Sequence, residues 1–233
     1  MPSLPRHLFL EDGSTFHVTW QCHNRDWLLK SDWAKRLYLD LLLKYKSRYQ
    51  VQIYSYCLMD NHPHLTGRLK NLGLFSDFFR VVNACFARTY NRAVKRRGQV
   101  VMDRFKSPRI QTDRDLLNVM GYIDLNPKRA GKAKRPEDNL FSSFAHYAYG
   151  KEDPLITPAP SYLALGRTPE QRQEAYRTIV HQILKYDWKT KQPYSSLPYI
   201  GNPDWVKKRI AALRQERRHA VARWRKRFKE RFA

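Results

Sequence analysis

Between Phe16 and Asn24 β-branched and aromatic residues crowd together, and that stretch reads as a strand. Ser31 then suits the cap of a helix running to about Tyr49, with Trp33, Leu37, Leu41 and Tyr45 at steps of four on one stripe. Val51 to Met59 reads as a second strand and His62 to Leu69 as a third. The turn signal Asp60-Asn61 between them makes the two a hairpin. Ser76 reads as the cap of a long helix to about Arg97, with Phe78, Val82, Cys85, Phe86 and Ala93 on one side and Gly98 after its end. Pro108 to Gln111 reads as a short strand. Thr112 or Asp113 opens another helix, which should stop at Asn126 because Pro127 disfavours helical geometry in the residue before it.

The order β-α-β-β-α-β-α predicts an α+β chain. Its first six elements have the connectivity of a ferredoxin-like sandwich with an antiparallel sheet. Further on, Lys151 to Pro160 reads as a loop and Thr168 to Lys185 as a helix. Residues 204–233 read as one or two basic helices with Trp205, Val206, Ile210, Leu213, Val221, Trp224 and Phe228 interleaved. The expected organisation is a catalytic unit over 1–150, an extension over 151–203 and a basic helical tail over 204–233.

Charge changes the picture next. The 233 residues carry 44 Lys and Arg against 21 Asp and Glu, a formal +23. That is far more than solubility needs, and it points to a polyanion as partner. No apolar stretch is long enough to span a bilayer, and the N-terminal residues lack a signal-peptide pattern. A membrane partner is therefore not expected, and nucleic acid in the cytoplasm is. Cys22, Cys57 and Cys85 are odd in number, widely spaced and without a CxxC motif, so they read as buried apolar residues in a reducing compartment.

Two segments carry chemistry. The first, Tyr56-Cys-Leu-Met-Asp-Asn-His-Pro-His-Leu65, ends a hydrophobic run with His62 and His64, which share one face of a strand. The second, Tyr122-Ile-Asp-Leu-Asn-Pro-Lys-Arg-Ala-Gly131, puts Tyr122 and Asn126 on one face of a helix. Taken singly, each pair has an ordinary structural reading: satisfied strand histidines, a core tyrosine, an asparagine at a helix end. Taken together, two imidazoles and an amide can hold a divalent ion. A phenol is a weak nucleophile at neutral pH because its pKa is about 10. Beside such an ion it can attack a phosphodiester.

The two segments, in this order and spacing, resemble the REP-associated tyrosine transposases, members of the single-tyrosine HUH transposases. Phe16-His-Val-Thr-Trp-Gln-Cys-His-Asn-Arg25 is similar to the family's first strand, and Arg104-Phe-Lys106 to a basic stretch ahead of its catalytic helix. The resemblance spans roughly residues 7 to 185. It implies the HUH variant of the ferredoxin-like sandwich, with the histidine strand inside the sheet. It implies Mg²⁺ or Mn²⁺ on His62, His64 and Asn126, and Tyr122 as the nucleophile that cleaves single-stranded DNA and keeps the 5′ phosphate. The implied substrates are palindromic repeats folded into hairpins. Imidazoles alone favour a transition ion such as zinc; the harder ion rests on the resemblance, with phosphate and water oxygens completing its shell. Pro63 stands where the family usually has Val or a similar residue, and a proline there predicts a bulge or an unpaired point.

Arg25, Arg104, Lys106, Arg129, Arg218 and Arg225 are the expected DNA contacts, and a monomer is the favoured state. The reading from another class is a regulator that binds DNA or RNA hairpins on the same fold without cutting. The four intact site residues argue against it, since a pure binder need not keep them.

Overall fold

A computed structural model describes residues 4–186 and 194–232; the side chains of 219, 220 and 223–232 lie outside the described residues. The elements are β1 (Thr15–Thr19), α1 (Asp32–Lys46), β2 (Val51–Leu58), β3 (Pro63–Leu69), α2 (Leu72–Ala93), β4 (Arg109–Ile110), α3 (Asp113–Asp124), α4 (Asn126–Arg129), α5 (Phe144–Tyr149), α6 (Pro160–Leu163), α7 (Pro169–Tyr186), β5 (Tyr199–Ile200) and α8 (Pro203–Phe232). The sheet order is β2-β3-β1-β4-β5, antiparallel except for the β4–β5 pair. The α+β sandwich expected from the sequence is present, and the histidine strand β3 has a neighbour on each side.

Alternation along β1 sorts the two faces. Phe16 and Val18 point towards α2, where the Phe16 ring meets Phe75 at 4.7 Å and Phe79 at 6.3 Å. This aromatic layer, with Phe78, Val82 and Phe86, is the core under α1 and α2. His17 and Thr19 point to the opposite face. The outer edge of β2 is covered by the segment after α4, with the Leu58 N–H on the Phe141 carbonyl and the Ser143 N–H on that of Tyr56. Covering it removes a row of unpaired backbone groups.

Several boundaries differ from the sequence expectation. The buried face of α1 is Ala34, Lys35, Tyr38 and Leu42 rather than the Trp33, Leu37, Leu41, Tyr45 stripe. Tyr38 is drawn in because its hydroxyl accepts from Trp20 Nε1 at 2.7 Å, while Trp33 stacks on Tyr90 near the surface. Asn71, not Ser76, caps α2, accepting from the Leu74 N–H; Ser76 lies within the helix and its hydroxyl accepts from Arg6. The helix ends at Ala93, short of Arg97, as Lys95 turns to positive φ. β1 stops at Thr19, and His23–Arg25 forms a 3-10 turn instead of strand. Pro127 does not end the helical path: Leu125 keeps αR geometry and α4 begins at once, with the proline in its first turn, where a missing N–H leaves no bond unmade. Pro63 opens β3 opposite Leu58. The neighbouring pair, Met59 N–H to His62 carbonyl, closes the hairpin, so the proline forfeits no bond to β2. The irregularity in this hairpin lies instead between Ile53 and Ser55.

Candidate active site: three histidines and a tyrosine

Register brings the histidines together. Thr19 of β1 pairs with His64 of β3, and His17 pairs with Thr66, so all four side chains share the face away from α2. The His17 and His64 rings lie parallel with centroids 5.2 Å apart, and His17 Nε2 is 2.9 Å from His64 Nδ1. His62, just before the strand, sets its ring edge-to-face on His64 at 4.8 Å. Its Nδ1 is 2.6 Å from Asn61 Oδ1. An amide oxygen only accepts, so His62 Nδ1 carries the proton and its Nε2 keeps a lone pair. Burial pushes all three imidazoles below the ordinary histidine range, His17 to about 4; for His64, well below that range, the neighbouring rings add to the effect. At neutral pH they are uncharged, the form that binds a metal ion.

Tyr122 comes from α3. This helix is started by a capping box in which the Thr112 hydroxyl accepts from the Asp115 N–H and the Asp115 carboxylate from that of Thr112. Gly121 lets α7 approach: a Cβ there would stand 2.6 Å from Ile183 Cδ1. The half-buried Tyr122 ring is held on two sides. The Arg129 guanidinium carbon lies 3.9 Å from its centroid, and the Tyr194 ring meets it at 4.8 Å and 79°. The Tyr194 carbonyl accepts from His17 Nδ1 at 3.0 Å. One residue of the segment before β5 therefore touches both the tyrosine helix and the histidine cluster.

Asn126 follows Tyr122 by one helical turn. Its Nδ2 is buried and has no hydrogen-bond partner among the described residues. Half a turn of the amide puts Oδ1 in that place, and the two orientations are assigned from the bonding network. An amide oxygen and neutral imidazole nitrogens are donors that a divalent cation can take, with positions left for oxygen ligands. Among the described residues no group of three or more His, Cys, Asp or Glu is placed to hold a metal ion. Between Tyr122 and Asn126, the Asp124 carboxyl is fully buried, accepts from the Tyr176 hydroxyl at 2.6 Å and is pushed up by burial to about 8.

The expected DNA contacts fall in different places. Arg25 is exposed beside the site, its carbonyl accepting from Asn61 Nδ2 at 3.2 Å. Arg104 and Lys106 line a cavity of about 530 Å³ with Arg6, Ser195 and Ser196. Lys106 bridges to Thr19, the strand partner of His64. Arg129 is committed to Tyr122, donating from Nη1 to its carbonyl at 2.8 Å. Arg218 is exposed on α8, and the Arg225, Trp224 and Phe228 side chains lie outside the described residues. Among the described residues no helix is long and apolar enough to cross a membrane.

Sequence reasoning missed His17, Tyr194 and the part of Asn61. His17 could have been found by laying β1 against β3, since its spacing from Thr19 puts it on the histidine face. Tyr194 gave no signal, because its contact depends on how the segment after α7 returns to the sheet.

Residues 12–125 match the family model described as "Transposase IS200 like". A solved REP-associated tyrosine transposase bound to a REP hairpin aligns with a TM-score of 0.54 at 21% identity, over 68% of this chain and 93% of that one. At this identity the likeness is one of fold. No curated protein matches the chain.

Proposed function

We propose that this chain, which matches the IS200-like transposase model through residues 12–125, is a divalent-metal-dependent endonuclease and strand transferase acting on single-stranded DNA beside hairpin-forming repeats. Tyr122 is the nucleophile; His62, His64 and Asn126 hold the ion. The observation that carries this reading is the convergence at Tyr194. A tyrosine with its ring fixed and a cluster of neutral, buried imidazoles meet through that one residue. A hairpin substrate is in keeping with the structural relative, which is bound to a REP hairpin.

When bound, Mg²⁺ or Mn²⁺ supplies Lewis-acid polarisation of the scissile phosphate. The Tyr122 phenolic oxygen attacks phosphorus and the bond to the 3′ oxygen breaks. The phenolic proton is released to water and the 3′ oxygen takes one up. The product is a 5′-phosphotyrosine and a free 3′ hydroxyl. One phosphodiester has replaced another, so attack by a 3′ hydroxyl on the phosphotyrosine rejoins a strand without ATP. Arg129 and Tyr194 restrict the ring before substrate arrives, which lowers the cost of reaching in-line geometry. The exposed cations Arg25, Lys106 and Arg218 track the phosphate backbone.

The test is direct. Incubate the protein with a labelled library of single-stranded hairpins and Mn²⁺, separate covalent adducts under denaturing conditions, and sequence the protein-linked ends. A shared cleavage point beside a stem is expected. Tight hairpin binding with no adduct at any metal concentration would leave a non-cleaving binder.

A further inference from the structure

We propose that His17 is a positioning residue for the ion site, and that the Tyr194 main-chain carbonyl sets it: together they hold His64 with its proton on Nδ1 and its Nε2 lone pair free for the ion. The proposal rests on the metal-site reading above and names the residues that orient one of its ligands.

The Tyr194 carbonyl sets the direction of every hydrogen bond in the chain that starts from it. A carbonyl oxygen only accepts, so His17 Nδ1, 3.0 Å from the Tyr194 oxygen, must donate. His17 is 1% exposed, and no carboxylate faces it among its hydrogen-bond partners, so the uncharged ring is the form the site holds and its single proton is the one on Nδ1. Its Nε2 is then an acceptor. Across 2.9 Å stands His64 Nδ1, which must supply the hydrogen. His64 is buried too, and an uncharged ring that gives its one hydrogen from Nδ1 to His17 has none left on Nε2. Each step has one solution, and the chain of bonds ends on a backbone atom that cannot change protonation.

Orientation is fixed along with the tautomer. The two rings are within 8° of parallel, and β1–β3 pairing at Thr19–His64 sets their separation. A metal-bound histidine commonly donates its second ring nitrogen to a carboxylate, carbonyl or water, and losing that partner typically costs 10–100-fold in metal affinity or activity. Here another imidazole does this work, and the atom that sets it belongs to the segment before β5. That segment lies beyond residues 12–125, so the ion site is completed from outside the stretch the transposase family defines.

The experiment uses full-length protein without DNA. Two-bond proton–nitrogen correlation spectra of the ¹⁵N-labelled wild type at neutral pH, free of metal, report which His64 nitrogen carries the proton. Protonated Nδ1 is expected; protonated Nε2 overturns the relay without reference to cleavage or metal. Mn²⁺ affinity is then measured calorimetrically for wild type, His17→Phe and His17→Gln. Phe keeps a ring but offers no acceptor, and its affinity should fall on the order of 10–100-fold. Gln can accept from His64 through its amide oxygen and donate to the Tyr194 carbonyl, and should recover most of that loss. Unchanged affinity in His17→Phe, or an equal loss in both variants, means His17 acts only through packing and overturns the proposal. If His17→Phe does not fold, the wild-type spectrum and the Gln variant still decide. A wild type that takes up no Mn²⁺ defeats the metal-site reading itself, an outcome separate from the tautomer result.

Discussion

Arg129 is bound to Tyr122 twice: its guanidinium carbon lies 3.9 Å from the ring centroid, and its Nη1 donates to the Tyr122 carbonyl at 2.8 Å. The seven-residue separation spans the junction of α3 and α4, so these contacts also fix how the two short helices meet. A planar cation that stacks and donates at once is a role lysine cannot fill. Arg129→Leu and Arg129→Lys should both slow cleavage, on the order of 10²-fold if the ring moves by about 1 Å. Hairpin affinity should change far less. Single-turnover cleavage and equilibrium binding separate the two effects; equal losses in rate and affinity would make Arg129 a DNA contact first.

Tyr122→Phe removes one hydroxyl and keeps the ring between Arg129 and Tyr194. Cleavage and the covalent protein–DNA adduct should disappear, while hairpin binding stays near wild type. A denaturing gel reads the adduct. An adduct that persists moves the nucleophile to another residue.

The sequence made the sandwich and the two chemical segments legible because both rest on local rules. Alternation reports strands, and spacings of two and four report shared faces, which is why His62-His64 and Tyr122-Asn126 could be paired without coordinates. It did not reveal what crosses between elements. The position of His17 opposite the histidine strand is a matter of register. Tyr194 reaches the site only because β5, two residues long among prolines and serines, returns to β4. The α1 stripe was displaced by one residue because the Trp20–Tyr38 hydrogen bond and the Lys35–Asp60 ion pair, both between elements, outweigh the apolar repeat within the helix. Arg129 was read as a phosphate contact because a basic run gives no hint that one of its members folds back on a phenol.

Removal of the divalent ion should stop cleavage, and so should His64→Ala. The strand needs no metal to pair: His64 is registered against Thr19 of β1 on one side and Cys57 of β2 on the other, so the variant should melt cooperatively. His62→Ala should behave likewise in activity and disturb the fold less, since His62 lies outside the strand. Full cleavage in excess chelator would end the metal hypothesis.

Asp124 makes a pH prediction with a definite sign. Its folded pKa, about 8, lies above the ordinary 3.8. The folded chain therefore keeps a proton that the unfolded chain releases, and this contribution is fully present below about pH 4 and is lost as pH rises through about 8. At about 1.4 kcal/mol per pKa unit the cost of ionising it in place is on the order of a few kcal/mol. Asp124→Asn keeps an oxygen for the Tyr176 hydroxyl and has no charge to bury. The variant should gain on wild type steadily from pH 4 to 8 in thermal melts. His17, His62 and His64 titrate in both proteins with the opposite sign, so the difference between the two isolates Asp124. A constant difference across that range would mean that Asp124 is already ionised in the folded chain.

The basic tail should add affinity without choosing the sequence. Val206 and Leu213 of α8 are buried, whereas residues 214–218, 221 and 222 are exposed. A chain ending at residue 213 therefore keeps the packing that anchors α8, including Trp205 against Tyr199 at 5.4 Å. It loses Arg214, Arg217 and Arg218 with the cations that follow. Each phosphate neutralised releases condensed counterion, and for single strands the log–log salt slope is about −0.7 per contact. Phosphate contacts position a protein but carry no sequence information directly. Deleting residues 214–233 should weaken binding to matched and mismatched hairpins by the same factor and flatten the salt slope by about 0.7 for every contact removed. Titrations of both hairpins at several salt concentrations, with full-length and shortened protein, give the answer. An unchanged affinity would take the tail out of the DNA interface. A shortened protein that no longer tells matched from mismatched hairpins would instead make the tail the reader of sequence and the sandwich only the cutter.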